Sequence, residues 1–499
     1  MDQSDTFLSY LTDEHILGVI IREAKKAVSK PHHHISEYAM PLFRYLPPPY
    51  SRIGTDEFKM PFENIDWIAI KHILLRHIGD NADYGHVKRF YGLSQSLRAI
   101  AANPERYDFP KPVVKACIKS EGEQIVECRP ICTYHDMRAK LLTSLMARYM
   151  KSWLEPMLHE TNMAYRSRRT WMGQEDVAVV KTSFSIDYIM RWRAAHDGQP
   201  MYVAECDMRK FFDSINHADL CRVFIDMHHR AGKNDKAFER LFCRFVDSFD
   251  FASDVMIYNS NHDDWWQQQL KHAYDPNKRY VFKWISSITE PSGIPQGVAL
   301  SPVIANMLLN VIDEQMLGDK LVNGHIVDPN LLYIRYSDDN LLIHTDKDEC
   351  NRLIQRYAQC LHQHHLHPHD FQSVALLKRK GMTDYWNAKS KSPFLWGSGW
   401  GDSALWIGFV GYEIRRDGAV RLRKSSVAKL AESIFRKSEK IKHSGEKAPD
   451  RFERFCAKAI GGSTLDGISC IADDTQYRHQ RALLEQLKAR KIRHLRLHI

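Results

Sequence analysis

Asp338 and Asp339 are adjacent carboxylates between Tyr333-Ile334 and Leu341-Leu342-Ile343, two short runs of strand-forming residues. Strand, acids, strand is the pattern of a β-hairpin with its acids at or near the turn. Neighbouring carboxylates repel, and a divalent cation is the simplest counter-charge to hold them together. Asp and Asn are also ordinary turn residues, so this segment alone describes only a solvated turn. A metal site needs a third carboxylate from another strand end. Pro200-Met-Tyr-Val-Ala-Glu-Cys-Asp207 supplies it, a strand ending on an acid, with Met208-Arg-Lys-Phe-Phe-Asp-Ser-Ile-Asn-His217 as the turn into a helix. Asp207 taken singly could equally be a helix cap. Together the three acids suit metal-dependent phosphoryl transfer. In that chemistry carboxylates hold two cations roughly 3.5 to 4 Å apart, to activate the attacking oxygen and stabilise the leaving one.

The elements that would position these acids are legible in outline. Residues 1–105 are mainly helical: Thr12 and Asp13 cap Ile16, Leu17, Ile20 and Ile21 at helical spacing, and Asn64 is placed to cap a helix from Trp67 to Ile78. Between them Leu46-Pro-Pro-Pro-Tyr50 is expected to be extended. Val113–Lys119 and Gln124–Ile131 form a basic hairpin around Ser120–Glu123, and Asp136 opens a helix bearing Leu141, Leu142, Leu145, Met146 and Tyr149. Tyr165-Arg166-Ser-Arg168-Arg169 is a basic cluster beside an aromatic, suited to nucleic-acid contact. Ser292-Gly-Ile-Pro-Gln-Gly297 is a loop whose glycines permit close backbone approach, leading into a helix near Ser301-Pro302. Trp406–Tyr412 and Val420–Arg423 pair around Asp417-Gly418. Ser425 and Ser426 then cap an amphipathic helix with Val427, Leu430, Ala431, Ile434 and Phe435 inward.

Composition narrows the class. The chain has 499 residues, 44% of them hydrophobic, enough for two or three domains, and a formal net charge of +9 that favours a polyanionic partner. Acids stand where a signal peptide would be basic, and no apolar run reaches the roughly 18 to 20 residues of a membrane span, so a soluble cytoplasmic protein with no membrane partner is expected. Ten scattered cysteines, with Cys128 and Cys132 the only close pair, match free thiols rather than a zinc site. The histidine-rich run from His362 to His369 lacks zinc-motif spacing and reads as a polar loop or helix end, with metal binding the lesser reading.

In their order and spacing these motifs resemble those of reverse transcriptases. Asp207-Met-Arg-Lys-Phe-Phe-Asp213 is similar to the first palm motif, Gly293-Ile-Pro-Gln-Gly-Val-Ala-Leu-Ser-Pro302 to the loop and helix between fingers and palm, and Tyr336-Ser-Asp-Asp339 to the Tyr-x-Asp-Asp hairpin. Lys119 and Arg129-Pro-Ile resemble the fingers strands, and Phe409-Val-Gly-Tyr412 the primer-grip hairpin. The resemblance covers about residues 106–440 and implies an α+β, right-hand polymerase fold. Residues 1–105 would be a helical N-terminal extension and 106–199 the fingers. Residues 200–422 would be the palm, with an insertion at about 218–290, and 423–499 the helical thumb and basic tail.

Carried over by position, Asp207, Asp338 and Asp339 would be catalytic and bind two Mg²⁺, with Mn²⁺ as the alternative ion. Lys119 and Arg129 would hold the incoming triphosphate, Phe212 would be the sugar gate that crowds a 2′-hydroxyl, Gln296 and Gly297 would line the nascent base pair, and Tyr336 would touch substrate. The family's lysine that protonates pyrophosphate would fall near Lys378 or Lys380, where this sequence departs from the family pattern. The implied partners are dNTPs, a DNA product and an RNA template, including a structured non-coding RNA; oligomerisation is left open. Tyr412–Ser426 and the tail around Ile471-Ala-Asp-Asp474 resemble bacterial defence-associated, abortive-infection-like members. The retron Val-Thr-Gly triplet and a Cys/His endonuclease signature are absent, which disfavours retron and group II intron types. The alternatives are a template-independent DNA polymerase on the same fold, a group II intron- or retron-like reverse transcriptase, an RNA polymerase in which Asp213 reads the 2′-hydroxyl, and a non-catalytic RNA-binding scaffold. Three intact carboxylates disfavour the last.

Overall fold

The computed structural model describes residues 5–28, 39–55, 57–60, 62–166, 169–171, 174–177, 182–260, 263–373, 388–397, 403–441, 448–461 and 475–496. Lys378, Lys380, Arg168 and Ile471–Asp474 lie outside them. The fold mixes helices with mainly antiparallel sheets, and the chain divides into two compact units.

The first unit comprises residues 1–158, 209–312 and 362–367. Its helices Asp13–Val28, Trp67–Gly79, Gly85–Ala102 and Met137–Leu154 bury the apolar faces expected from their spacing, with Ile16, Leu17, Ile20, Leu141, Leu142 and Leu145 inaccessible to solvent. Thr12 caps the first of these through His15 N (3.2 Å), and Asp136 caps the last through Ala139 N (2.7 Å). The Trp67 helix is capped by Asp66, not by Asn64. Asp66 immediately precedes the helix and accepts from Ile68 N and Ala69 N, whereas Asn64 closes a short 3₁₀ turn at Phe62–Asn64. The triple proline is not extended either; it turns into a 3₁₀ helix at Tyr50–Arg52, with Leu46 buried. The N-terminal segment is fastened to this unit. Phe7 N donates to buried Asp235 (2.7 Å), and the Phe7 ring packs on Phe238 and Tyr149.

The basic hairpin forms as strands Val113–Glu121 and Ile125–Thr133, with a register shift between Ile118 and Ser120. A third strand, Arg279–Phe282, lies parallel to Ile125–Thr133 and comes from the stretch read as an insertion. Helices His217–Arg230 and Lys236–Asp247 begin that stretch, stacking Phe224 on Phe242 at 3.7 Å between ring centroids, and shorter helices follow at Phe251–Asp254 and Asp263–Leu270.

The second unit comprises residues 159–208, 313–361 and 368–499. Its main sheet runs in the order Phe371–Gln372, Ser390–Trp396, Tyr202–Glu205, Asp339–His344, Leu331–Tyr336, with the last four strands antiparallel. Val203, Leu332, Ile334, Leu341 and Ile343 are fully buried in a core shared with Ile186, Ile189 and Met190 of helix Thr182–Ala195. The pair expected at 406–423 is a three-stranded sheet, Trp406–Phe409, Tyr412–Arg415 and Val420–Leu422. Val410 and Gly411, both at positive φ, turn the chain tightly enough to add a hairpin that the sequence pattern had run together.

Helices Lys424–Ile441, Ala448–Gly461 and Thr475–Arg496 form their own core around Ile434, Phe452, Cys456 and Leu484. Lys424 already begins the first of them, so Ser425 and Ser426 sit inside it rather than capping it. Ile434 takes the inward position, which leaves Phe435 half exposed beneath the Lys491 ammonium at 3.9 Å. No helix of the described residues is long and apolar enough to cross a membrane.

Candidate active site

In the second unit, Tyr336 pairs with Asp339 across a two-residue turn, Ser337-Asp338. Ser337 has φ +60°, a conformation that costs a non-glycine residue about 1 to 2 kcal/mol and needs outside support. Arg335 provides it. Its guanidinium is fully buried and donates from Nη1 to the Ser337 carbonyl (3.0 Å), while Nε and Nη2 engage Asp313 at 2.9 and 2.8 Å. The Tyr333 hydroxyl donates to the other Asp313 oxygen (2.6 Å). The turn bearing the acids is thus fixed from below by a buried ion pair.

Asp207 is brought alongside by sheet pairing. Ala204 lies opposite Leu342, and Cys206 N donates to the Asn340 side chain (3.0 Å), which carries the chain past Asp339–His344 and places Asp207 just beyond the strand end. Its own N–H donates to Ser390 Oγ (3.0 Å). The Lys389 ammonium meets Asp207 Oδ2 at 2.9 Å, and Lys391 pairs with Glu205 at 2.5 Å. Asp207, Asp339, Lys389, Lys391 and Arg423 line a cleft of about 450 Å³. The Asp339 carboxyl is pushed up to about 6, first by the desolvating cleft walls and then by Asp338 and Asp207. The residue remains open to water, so the cleft crowds it without sealing it. Tyr336 is half buried on the same hairpin.

The other residues singled out from sequence lie in the first unit. Phe212 sits in the short helix Phe211–Ser214, half buried, with its carbonyl accepting from Ile294 N (2.8 Å) while Gly293 N donates to Ile215 (2.8 Å). The glycine loop is therefore strapped to the Phe212 segment. Gly293 has φ +93°, and a Cβ there would meet the Asp213 carbonyl oxygen at 2.9 Å. Gln296 donates to buried Asp213 (2.5 Å) and accepts from Cys132 N (2.6 Å). Gly297, at φ +97°, leaves room only for its hydrogen beside Ile131 and Cys132. Burial pushes the Asp213 carboxyl up to about 6 against the pull of Lys210, Gln296 and Arg129. Lys119 bonds Glu127 (2.9 Å), while Arg129 is exposed, with no ion pair among the described residues.

The structure thus gathers Asp207, Asp338, Asp339 and Tyr336 on one sheet, and Lys119, Arg129, Phe212, Gln296 and Gly297 around one loop. Sequence reading missed Lys389, Lys391 and Arg423 in the cleft and Arg335 beneath the turn. Only the Lys-Ser-Lys alternation at 389–391 hinted at lysines on one strand face. A further trio, Asp328, His344 and Glu349, has metal-ligand proximity, but Lys320 already bonds Asp328 (2.5 Å) and Glu349 (3.0 Å).

A family model described as reverse transcriptase (RNA-dependent DNA polymerase) matches residues 118–375. No curated protein matches the chain. Similar solved structures include telomerase from Candida albicans with a TWJ fragment of telomeric RNA, at 10% identity over 90% of this chain and 74% of that one, TM-score 0.36. Telomerase from Candida tropicalis with the same kind of RNA fragment is similar at 12% identity over 86% of this chain and 69% of that one, TM-score 0.38.

Proposed function

Because the chain belongs to the reverse transcriptase family, and is thereby an RNA-directed DNA polymerase and nucleotidyltransferase, we propose that Asp207, Asp338 and Asp339 are its catalytic carboxylates and hold two Mg²⁺ or Mn²⁺ ions. The observation that carries this reading is the convergence of the three acids at one end of one sheet, inside the family match. Their donor set fits. Carboxylate oxygens suit a hard divalent cation, and Asp207 and Asp338 both lie near enough to Asp339 to add to the rise that burial gives its carboxyl, while Lys389 supplies a positive charge against Asp207. When bound, such ions would activate the primer 3′-hydroxyl and stabilise the departing pyrophosphate.

The chain's own groups do the positioning. Lys389 releases Asp207 and remains in the cleft as a cation beside the reacting phosphates. Lys119 and Arg129 hold the triphosphate, Gln296 and Gly297 back the nascent base pair, and the Phe212 ring crowds a ribose 2′-hydroxyl without offering it a hydrogen bond. On this reading residues 106–199 serve as fingers, 200–422 as palm and 423–499 as thumb, behind a helical extension at 1–105. The net charge of +9 supports an RNA template, and the resemblance of Tyr412–Ser426 supports a cytoplasmic role in bacterial defence against phage, with a non-coding RNA copied.

Purified protein with Mg²⁺, dNTPs and a primed RNA should make DNA, and Asp338→Ala with Asp339→Ala should abolish synthesis. Sequencing the product with and without co-purified RNA tests the template. Preference for NTPs would overturn the deoxynucleotide reading, DNA independent of RNA would favour template-free synthesis, and biological activity retained by the double variant would leave a scaffold.

A further inference from the structure

Glu127, on strand Ile125–Thr133, is 8% exposed and receives three ammonium groups. Its Oε1 accepts from Lys119 (2.9 Å) and Lys210 (2.8 Å), and its Oε2 meets Lys283 at 3.0 Å. The lysines arrive from three directions. Lys119 comes from the antiparallel neighbour, where Ser120 faces Glu127. Lys283 follows the parallel neighbour, where Val281 faces Glu127. Lys210 comes from a residue held at φ +52°, a left-handed conformation that persists only where surroundings enforce it.

One buried carboxylate needs one partner. Three ammoniums around it repel each other and leave a surplus of two positive charges, and exposed Arg129 stands two residues along on the same strand face. Asp213, the other acid that feels Lys210, Arg129 and Lys119, is buried and adds one negative charge when ionised, so Lys119, Lys210, Lys283 and Arg129 still exceed Glu127 and Asp213 by two charges. The cluster is not sealed: the Lys119 and Lys283 side chains are 43% and 60% exposed. Such an arrangement fits an anion carrying several charges within the span of one side chain, as a polyphosphate does. A nucleic-acid strand spaces its charges along its length instead.

We propose that Lys119, Lys210 and Lys283 are a pre-assembled polyphosphate cradle in which Glu127 is a resident counter-ion displaced by the triphosphate of the incoming nucleotide. Lys210 and Lys283 are then nucleotide-binding residues alongside Lys119 and Arg129. This rests on the polymerase reading above. In the resting protein Glu127 keeps the three ammoniums converged, so the nucleotide meets an ordered site and exchanges one carboxylate for several phosphate oxygens.

The test is titration of the full chain with inorganic tripolyphosphate, beside steady-state extension of a primed RNA. Lys283→Gln and Lys210→Gln should each weaken tripolyphosphate binding about tenfold and raise KM for dNTP similarly, with kcat within about twofold and RNA affinity unchanged. Lys88→Gln, in the same unit, should change none of these. Lys283 is exposed, so its variant folds even where Lys210→Gln does not. Wild-type tripolyphosphate affinity in Lys283→Gln, or a loss confined to RNA binding, would overturn the proposal; the latter would make the cluster a strand contact. Absence of DNA synthesis by the wild type, with tripolyphosphate binding still lost in the variants, would instead count against the polymerase reading alone.

Discussion

The buried Arg335–Asp313 pair beneath the catalytic turn allows stability and catalysis to be separated. Both side chains are fully inaccessible, so Asp313→Asn leaves a guanidinium charge without a counter-ion and Arg335→Met leaves a carboxylate with only the Tyr333 hydroxyl. Breaking a buried pair from one side costs about 3 to 5 kcal/mol, whereas removing both partners together is often near neutral. Each single variant should therefore shift the denaturation midpoint markedly downward, and the double variant should recover most of the loss. Activity should follow a different order. Arg335 alone donates to the Ser337 carbonyl, and a hydrogen bond to a charged group is worth about 1.5 to 3 kcal/mol, or roughly ten- to a hundredfold in rate when it holds a catalytic turn. The double variant should thus be stable but slow, with kcat lowered about tenfold or more and KM for dNTP little changed. Urea denaturation followed by tryptophan fluorescence, beside primer extension, measures both. Single variants that each cost under about 1 kcal/mol, or a double variant with full kcat, would refute the reasoning.

Three further outcomes follow from the same structure. Burial raises Asp213 from 3.8 to about 6, so the folded state binds its proton more tightly than the unfolded state; acidification through that window stabilises the protein, and ionisation above it is a cost. Asp213→Asn keeps the acceptor for Gln296 and should raise the melting temperature at pH 8, by up to about 3 kcal/mol in stability, and give no gain at pH 4; an equal gain at both would exclude ionisation as the cause. Gly293→Ala should cost about 2 kcal/mol or more, because its Cβ would lie 2.9 Å from the Asp213 carbonyl oxygen, while Gly198→Ala, at φ +82° with nothing within 4 Å, bears only the backbone strain; thermal melts would compare them. Phe212→Val should raise ribonucleotide incorporation about tenfold relative to the parent, measured by competition between dNTP and NTP on one template, and unchanged discrimination would remove Phe212 from the sugar gate.

What the sequence by itself determined is local. Alternation and turn chemistry placed the Asp338-Asp339 hairpin, the Val113–Lys119 hairpin and the strand leading to Asp207, because period and turn residues act within a few positions of each other. Caps were legible to within two residues: Thr12 and Asp136 bond as expected, while Asp66 displaced Asn64 because only the adjacent carboxylate reaches the first free N–H groups. The inward face of the Lys424–Ile441 helix was read one residue too wide, since which of Ile434 and Phe435 turns inward depends on helices arriving from residues 448–496. Tertiary structure alone decided what surrounds the acids. Ser390–Trp396 joins the sheet beside Tyr202–Glu205, and only that non-local pairing brings Lys389 to Asp207. Arg335 looks like the polar member of an alternating strand, yet its strand is covered on both faces and the side chain is buried against a helix residue 22 positions earlier. Charges that meet across such distances leave no spacing in the chain, because the sheet order and the helix packed beneath it fix their separation.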